Sequence, residues 1–147
     1  MKFMPKFSVL VLALVLFSAT AMAQGEVVPG PVRARVVRVI DGDTLSVSAT
    51  IWPGASQATS VRIAGIDAPE LTGRCDSERK RAQAAKRALA DLVAIGSTVF
   101  LREVRPDKYG GRVVAHVGLV DGRDVGKLQL AAHHARPYDG GKRQPWC

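Results

Sequence analysis

Residues 33–48 read RARVVRVIDGDTLSVS, and this stretch decides the fold. Basic and apolar side chains alternate along most of its first half, and polar and apolar ones alternate along its second half. This two-residue period is typical of half-buried β-strands. Asp41-Gly42 between the halves predicts a tight hairpin turn whose two central residues have positive φ. The stretch therefore predicts two antiparallel strands.

Three more strands and two helices are predicted farther along the chain. Five strands, with a helix between the third and the fourth, are typical of a small Greek-key barrel of the OB type. We therefore predict a mainly β fold of the α+β class, although periodicity alone does not give the strand order. The predicted elements are strands at 60–66, 98–104 and 113–119, a first helix capped by Asp76 or Ser77 and running to about Ala94, and a second from Val125 to Ala132.

The composition favours one globular domain with a polyanionic partner. The chain has 147 residues, of which 47% are hydrophobic and 23% charged. These values support a packed core and exclude global disorder, a multidomain enzyme and a polytopic membrane protein. The formal net charge of +8 suits nucleic acid or an anionic membrane surface.

The first 23 residues have the pattern of a secretory signal peptide. Two lysines precede a short apolar run, and Ala21-Met22-Ala23 supplies a small-x-small cleavage signal before Gln24. The alternative is an uncleaved anchor, but the run is shorter than the ~20 residues that a membrane span needs. Cleavage at this point removes two lysines and no acidic residue, so +8 becomes +6. We expect a flexible lead-in at 24–31, followed by one exported domain at 32–147 that is periplasmic or secreted and not membrane-bound.

The chain has two cysteines, Cys75 and Cys147. An even pair in an oxidising compartment predicts a disulfide, which would tie the basic tail to the body of the domain. Two free thiols are the alternative, and they are less common in exported proteins.

Acidic residues lie where neighbouring strands end. Asp43 follows the predicted turn, and Asp67 and Glu70 follow the third strand. Because clustered carboxylates repel one another, such a cluster suggests a hard cation such as Ca²⁺ or a raised pKa. Arg62 precedes them on the third strand, and its planar fork matches a phosphate. Taken singly, these residues are better explained as parts of a turn, a loop and a surface charge.

Three blocks of sequence together resemble the staphylococcal nuclease (thermonuclease) family. They are VIDGDT at 39–44, VRIAGIDAPE at 61–70 and DKYGGR at 107–112. The resemblance covers about residues 32 to 140. It implies a five-stranded OB-type barrel with helices, and a Ca²⁺-dependent phosphodiesterase that cuts DNA and RNA and leaves 3′-phosphate ends.

The resemblance also implies roles for single residues. The carboxylates of Asp43 and Asp67 and the backbone carbonyl of Ala68 would hold calcium. Glu70 would act as the general base or orient the attacking water, and Arg62 would hold the scissile phosphate. This chemistry is coherent, because a cation and guanidinium groups stabilise the charge that develops on the phosphate oxygens.

Arg112 matches the second phosphate-binding arginine of the family, but an extra glycine, Gly111, precedes it. One inserted residue in a strand turns the side chain to the opposite face. A bulge formed by the two glycines would restore its direction. We favour the bulge, with Arg112 facing the site.

Three further residues are predicted to bind substrate. By resemblance, Lys108 and Tyr109 contact nucleotide phosphate. Tyr138 is expected either to stack on a base or to anchor the tail.

The leading prediction is thus an exported, monomeric, Ca²⁺-dependent endonuclease of low sequence specificity. The alternatives are a noncatalytic nucleic-acid-binding module on the same fold and an exported anion-binding or structural domain.

Overall fold

The computed structural model describes residues 25–147, so the predicted signal peptide lies outside the described residues. Within this part of the chain, neither helix has the length and apolarity needed to cross a membrane. The elements are β1 (Val32–Val39), β2 (Thr44–Trp52), β3 (Ala55–Ile63), β4 (Ile66–Asp67), α1 (Asp76–Leu92), β5 (Thr98–Pro106), β6 (Arg112–Gly118), α2 (Val125–Ala131) and β7 (Arg136–Pro137).

Five strands close into a barrel in the order β1-β2-β3-β6-β5. Neighbouring strands pair antiparallel, except that β3 and β6 run parallel. α1 connects the β3–β4 region to β5, and α2 follows β6. The predicted mainly β barrel with two helices is confirmed, and it is consistent with an OB-type α+β fold.

The barrel interior is filled by small aliphatic side chains, as the alternation in 33–48 predicts. In β2, Leu45 and Val47 are fully buried, whereas the intervening serines are partly exposed. Ala85 and Leu89 of α1 are also fully buried in the same core. The polar faces of the strands are therefore left on the outside, where a substrate could reach them.

The hairpin between β2 and β3 is longer than the sequence predicted. β2 continues to Trp52, and β3 begins at Ala55 rather than Ser60. Most side chains at this tip are exposed, so no apolar alternation marks the strands there. At its other end the predicted strand 60–66 is interrupted by a turn at Gly65, which has a φ of 80°.

The connection between β1 and β2 is not the predicted turn with two positive φ angles. Gly42 does not adopt a positive φ, and four residues join the strands. The Asp43 N–H donates to the Asp41 carboxylate at 3.0 Å. Glycine is needed here for close packing instead, because a Cβ at Gly42 would lie 2.6 Å from the Ala85 Cβ. The Gln129 side chain donates to the Gly42 carbonyl at 2.9 Å, so both helices fix the loop that carries Asp43.

The first helix differs from the prediction at both ends. Neither Asp76 nor Ser77 is the N-cap; Cys75 is, in an extended conformation and without a side-chain cap hydrogen bond. The helix ends at Leu92, because the fully buried Val93 leaves the helical conformation.

The C-terminal tail, residues 136–147, is held at both ends. β7 pairs antiparallel with β4, which places Arg136 opposite Asp67. At the other end a disulfide joins Cys147 to Cys75, as predicted, and neither cysteine is free. The tail therefore runs past the loop that follows β4.

Part of the segment predicted as a lead-in, 24–31, is paired with the barrel. Val28 and Val104 exchange two backbone hydrogen bonds of 2.8 Å, and the Glu103 N–H donates to the Pro29 carbonyl at 3.0 Å.

Candidate active site

A cavity of about 670 Å³ opens beside β3 and β6, between the β5–β6 loop and the tail. Asp67 and Ala68 do not line it, and they are only 1% and 2% exposed. The structure thus gathers most of the predicted site residues around one opening. The predicted residues that line the cavity are Asp43, Arg62, Glu70, Lys108, Tyr109, Arg112 and Tyr138.

Arg62 links the two aspartates that were predicted to bind calcium. The register of β2 and β3 places Thr44 opposite Arg62, which brings the preceding residue, Asp43, next to the guanidinium group. Nη1 of Arg62 lies 3.3 Å from Asp43 Oδ2, and Nη2 lies 3.8 Å from Asp67 Oδ1. Since its side chain is only 14% exposed, Arg62 is held in a fixed position at the cavity.

The Asp43 carboxylate is buried and incompletely neutralised. Its Oδ1 accepts a hydrogen bond from the Thr44 hydroxyl and its Oδ2 one from the Ala68 N–H, both at 2.9 Å. Burial raises the pKa of Asp43 to about 6, although the positive charge of Arg62 acts to lower it. An additional cation beside Asp43 would therefore stabilise its ionised form.

Three donors from the tail surround Asp67, and we call them the tail donors. Arg143 Nε donates to Oδ1 at 2.7 Å, Arg136 Nη2 donates to Oδ2 at 3.0 Å, and Trp146 Nε1 donates to Oδ2 at 3.1 Å. The Arg136 guanidinium also lies over the Trp146 ring, 4.1 Å from its centroid. The buried charge of Asp67 is therefore compensated by guanidinium groups, as a buried carboxylate requires.

Glu70 lies at the cavity edge within reach of the same tail. Its Oε1 accepts from Arg143 Nη1 at 2.8 Å, and the neighbouring Ala68 carbonyl accepts from Nη2 at 3.2 Å. Glu78 of α1 fixes the backbone on the other side, because its carboxylate accepts from the N–H groups of Glu70 at 3.3 Å and Arg74 at 3.1 Å. The Glu70 side chain is 44% exposed, so solvent reaches it.

Arg112 lies on the same outer face of the barrel as Arg62. In the parallel pairing of β3 and β6, Arg112 is opposite Ser60 and Val114 is opposite Arg62. Residues two apart in a strand point to the same face, and paired residues share a face. The two arginines therefore lie on adjacent strands and both reach the cavity.

The extra glycine is accommodated in a loop, so the predicted glycine bulge is wrong. Gly110 and Gly111 both have positive φ, 71° and 68°, and lie between β5 and β6. The register shift is in β5 instead, between Arg102 and Arg105. Gly110 and Gly111 belong to the loop and not to β6. The extra glycine therefore does not change the face of β6 on which Arg112 lies.

Asp107 anchors Arg112 through a hydrogen bond to the guanidinium Nε. Burial alone would raise the pKa of Asp107, but the hydrogen bonds from Arg112 and from the Tyr109 N–H hold it below its ordinary value. Arg112 is therefore held by an ionised carboxylate at the cavity rim.

Arg62 and Arg112 each have a tyrosine ring beside them. The Arg112 Cζ lies 5.9 Å from the centroid of Tyr109, which is 75% exposed, and the Lys108 Nζ lies 5.1 Å from it. The Arg62 Cζ lies 5.4 Å from the centroid of Tyr138. The Tyr138 hydroxyl donates to a tail carbonyl at 2.7 Å, so this residue both anchors the tail and lines the cavity.

Sequence reasoning missed the tail donors and Glu78. A signal for the tail donors was present, because the predicted Cys75–Cys147 disulfide brings the residues before Cys147 next to the loop before Cys75. That loop contains Asp67 and Glu70. Glu78 had no comparable signal, because its acceptor role depends on how the loop before α1 folds.

The donor atoms at this site fit calcium in kind. The carboxylates of Asp43 and Asp67 and the carbonyl of Ala68 are hard oxygen donors, which Ca²⁺ prefers. However, both Asp67 oxygens and the Ala68 carbonyl already accept hydrogen bonds from the tail.

A second arrangement of possible ligands does not compete with this site. Over residues 25–147, one group of three His, Cys, Asp or Glu ligand atoms lies within 4.8 Å, and it consists of Cys75, Glu78 and Cys147. Its sulfur atoms form the disulfide and are not thiolates, so they do not ligate zinc. Within the described residues, Asp43, Asp67 and Glu70 do not form such a group.

No protein-family model matches the chain. The chain is similar to two curated proteins named "Uncharacterized endonuclease", one from Escherichia coli and one from Escherichia coli O157:H7. Each is 32% identical over 111 residues, which are 74% of this chain and 62% of the relative. The chain thus spans less than two thirds of the length of these relatives. This similarity does not test the narrower resemblance to the staphylococcal nuclease family.

Proposed function

We propose that this protein is a Ca²⁺-dependent endonuclease of the staphylococcal nuclease type, which hydrolyses DNA and RNA with low sequence specificity and leaves 3′-phosphate ends. The observation that carries the proposal is the placement of Arg62 and Arg112 on adjacent strands, facing one cavity with the exposed carboxylate of Glu70. The relatives named endonuclease support nuclease activity in general, and the finer statement rests on the sequence resemblance.

The two arginines would bind the scissile phosphate. Their guanidinium groups donate to the nonbridging oxygens, where negative charge increases in the transition state. Arg62 is held by two aspartates and Arg112 by Asp107, so little reorganisation is needed when the phosphate arrives.

Glu70 would accept a proton from the attacking water. As the water oxygen bonds to phosphorus, the bond to the 5′ oxygen breaks, and that oxygen leaves with a proton from solvent. Ca²⁺ held by Asp43, Asp67 and the Ala68 carbonyl would supply positive charge to the phosphate.

The residues around the cavity suit a polynucleotide of any sequence. The exposed ring of Tyr109 and the ring of Tyr138 offer stacking surfaces, and Lys108 offers charge to the backbone. Stacking and phosphate contacts do not read sequence, so specificity would be low.

The test is cleavage of single-stranded DNA with Ca²⁺ or with EDTA. We expect cleavage only with Ca²⁺, and a reduction of about 10²-fold or more in Arg62→Ala, Arg112→Ala and Glu70→Gln. Arg81→Ala is the matched control, because Arg81 is an exposed residue of α1 that does not line the cavity. If Arg112→Ala cleaves at the wild-type rate while Arg62→Ala is inactive, the proposed phosphate-binding role of Arg112 is wrong.

A noncatalytic nucleic-acid-binding module is the second candidate. The observation that favours it is the engagement of both Asp67 oxygens by the tail. A gel shift without cleavage would support this candidate. If the protein neither shifts nor cleaves the nucleic acid, an anion-binding or structural domain is the remaining interpretation.

We also propose that the protein is exported as a monomer, periplasmic or secreted and not membrane-bound. The disulfide supports an oxidising compartment. Mass spectrometry of protein recovered from periplasm or medium should find Gln24 at the N-terminus, and light scattering should give the mass of one chain. Recovery of the protein from a membrane fraction with residues 1–23 still attached would contradict export.

A further inference from the structure

We infer that Arg143 is a tethered competitor of the divalent cation, placed by the C-terminal tail on the oxygen atoms that the proposed calcium site would use. The inference rests on the proposed position of that site and not on the cleavage reaction.

One guanidinium group satisfies three acceptors at once. Arg143 Nε donates to Asp67 Oδ1 at 2.7 Å, Nη2 to the Ala68 carbonyl at 3.2 Å and Nη1 to Glu70 Oε1 at 2.8 Å. The first two acceptors are proposed cation ligands, and the third is the proposed base. An oxygen lone pair that accepts from Arg143 is not available to a cation, and two positive groups beside one oxygen repel each other. Arg143 and the cation therefore compete at Asp67 and at the Ala68 carbonyl.

The tail keeps this competitor close. On one side of Arg143, Arg136 in β7 pairs with Asp67 and its Nη1 donates to the Pro145 carbonyl at 3.1 Å. On the other side, the Cys75–Cys147 disulfide fixes the end of the tail to the N-cap of α1. A group held in this way acts at a high effective concentration.

The cation therefore binds Asp67 and Ala68 more tightly when Arg143 has moved away from them. Its observed affinity is the intrinsic affinity reduced by the stability of the Arg143 contacts. Any change that loosens the tail should increase cation affinity, although the tail adds no ligand to the cation.

Calcium binding measured by isothermal titration calorimetry without nucleic acid tests this inference. We expect Arg143→Ala to bind Ca²⁺ about tenfold tighter or more, because it removes a charge-assisted competitor held at high effective concentration. Arg143→Lys should lie between Arg143→Ala and wild type, because an ammonium group does not bridge three acceptors in one plane.

Lys142→Ala is the matched control. It removes one positive charge from the adjacent tail position, and Lys142 is exposed and makes no ion pair within the described part of the chain. Its calcium affinity should stay within about twofold of wild type, since exposed charges are well screened. If Arg143→Ala binds no tighter than Lys142→Ala, the competitor role is overturned.

Two further variants locate the effect. The Cys75→Ser, Cys147→Ser protein should also bind Ca²⁺ more tightly, and an unchanged affinity in a folded double variant would overturn the role of the tether. Asp43→Asn should weaken binding in both the wild-type and the Arg143→Ala background. Binding that survives this change intact would place the cation elsewhere and overturn the inference.

Cleavage assays on the same proteins separate this inference from the proposed function. Tighter binding in Arg143→Ala with no cleavage by any variant would leave the inference standing and refute the nuclease. Cleavage with equal affinities in Arg143→Ala and Lys142→Ala would do the reverse.

Discussion

Among single residues, Asp107 controls how Arg112 is presented at the cavity. The Asp107 side chain is 5% exposed, and its carboxylate accepts a hydrogen bond from the Arg112 Nε. Burial acts to raise the pKa of Asp107, but Arg112 and the Tyr109 N–H together hold it below the ordinary value. Ionised Asp107 therefore stabilises the folded protein as well as placing Arg112.

We expect Asp107→Asn to lower the free energy of unfolding by about 2 kcal/mol at neutral pH, because a charge-assisted hydrogen bond is lost. Since the pKa is lower in the folded than in the unfolded chain, this contribution is complete above the unfolded pKa. It is lost as the pH falls through the folded pKa.

Urea denaturation of wild type and Asp107→Asn at a series of acidic to neutral pH values measures this difference. Asp91→Asn is the control, because Asp91 is exposed and its side chain makes no hydrogen bond or ion pair within residues 25–147. A difference that grows toward acid pH would contradict the assignment.

The residues at the site differ in how well the sequence predicts them. Asp43, Arg62 and Glu70 lie in short blocks next to strand ends, and the pairing of β2 with β3 brings these blocks to one cavity. Arg143 reaches Asp67 across 76 positions in the chain, through a disulfide and a two-residue strand that periodicity does not reveal. The contacts between the tail and Asp67 were therefore missed because they join residues far apart in the chain.

Among the structural elements, the β1–β2 connection depends on the absence of a side chain at Gly42. A Cβ at this position would lie 2.6 Å from the Ala85 Cβ, inside van der Waals contact. We expect Gly42→Ala to lower the free energy of unfolding by about 1 to 3 kcal/mol through overpacking. It should also weaken calcium binding, because the loop carries Asp43.

Gly118→Ala is the control for this change. Gly118 also lacks a positive φ, and a Cβ there would meet its nearest atom, the Phe100 carbonyl oxygen, at 3.7 Å. Thermal unfolding followed by circular dichroism measures both variants, and equal loss of stability would refute the packing argument.

The chain adopts a left-handed backbone conformation just after α2, at a residue type that does not favour this conformation. His133 has a φ of 58°, and its N–H donates to the Leu130 carbonyl at 3.0 Å. Glycine adopts this left-handed conformation without the steric cost of a Cβ. We expect His133→Gly to raise the free energy of unfolding by about 0.5 to 1 kcal/mol. The change removes the strain of the left-handed conformation, and this gain is larger than the cost of the added entropy of the unfolded chain.

Ala132→Gly provides the comparison, because Ala132 has an ordinary φ of −84°. It should lower stability in the same chemical denaturation experiment. If both glycine variants lose stability, the strain at His133 is negligible.

Strand prediction succeeded where one face of a strand packs on the core. Leu45 and Val47 are buried between partly exposed serines, and the alternation is visible in the sequence. It failed at the tip of the β2–β3 hairpin, where Ile51 and Trp52 are exposed in succession. The two-residue period arises when one face of a strand is buried. It therefore does not reveal the part of a strand that extends beyond the core.

For the whole molecule, the positive charge should dominate nucleic-acid binding. The expected mature charge is +6, and several cations line the cavity. Binding of single-stranded DNA in EDTA, measured by fluorescence anisotropy, should fall with salt with a log–log slope of about −2 or steeper. The cavity-lining cations are Arg62, Arg105, Lys108, Arg112 and Arg143.

Lys108→Ala should reduce the steepness of that slope by about 0.7, the share of one phosphate contact on a single strand. The Arg81→Ala variant should keep the wild-type slope, since Arg81 lies away from the cavity. A slope near zero in the wild-type protein would contradict electrostatic binding.

The topology of the whole barrel was only partly predictable. The antiparallel run of β1, β2 and β3 follows from short connections. The parallel contact of β3 with β6, which brings Arg62 and Arg112 to one face, depends on how the chain returns after α1. That return is set by three-dimensional packing, about which a period of two carries no information.

Closure of the barrel also bears on self-association. Because β1 pairs with both β2 and β5, the closed part of the barrel gives each strand a partner on either side. An open edge is left at the tip of the β2–β3 hairpin, where residues 55–59 pair with β2 but not with β6. The strands outside it, β4 and β7, are two residues long. Another chain therefore has few unpaired backbone groups to which it could add a strand. This shortage should keep the folded protein from forming fibrils at high concentration.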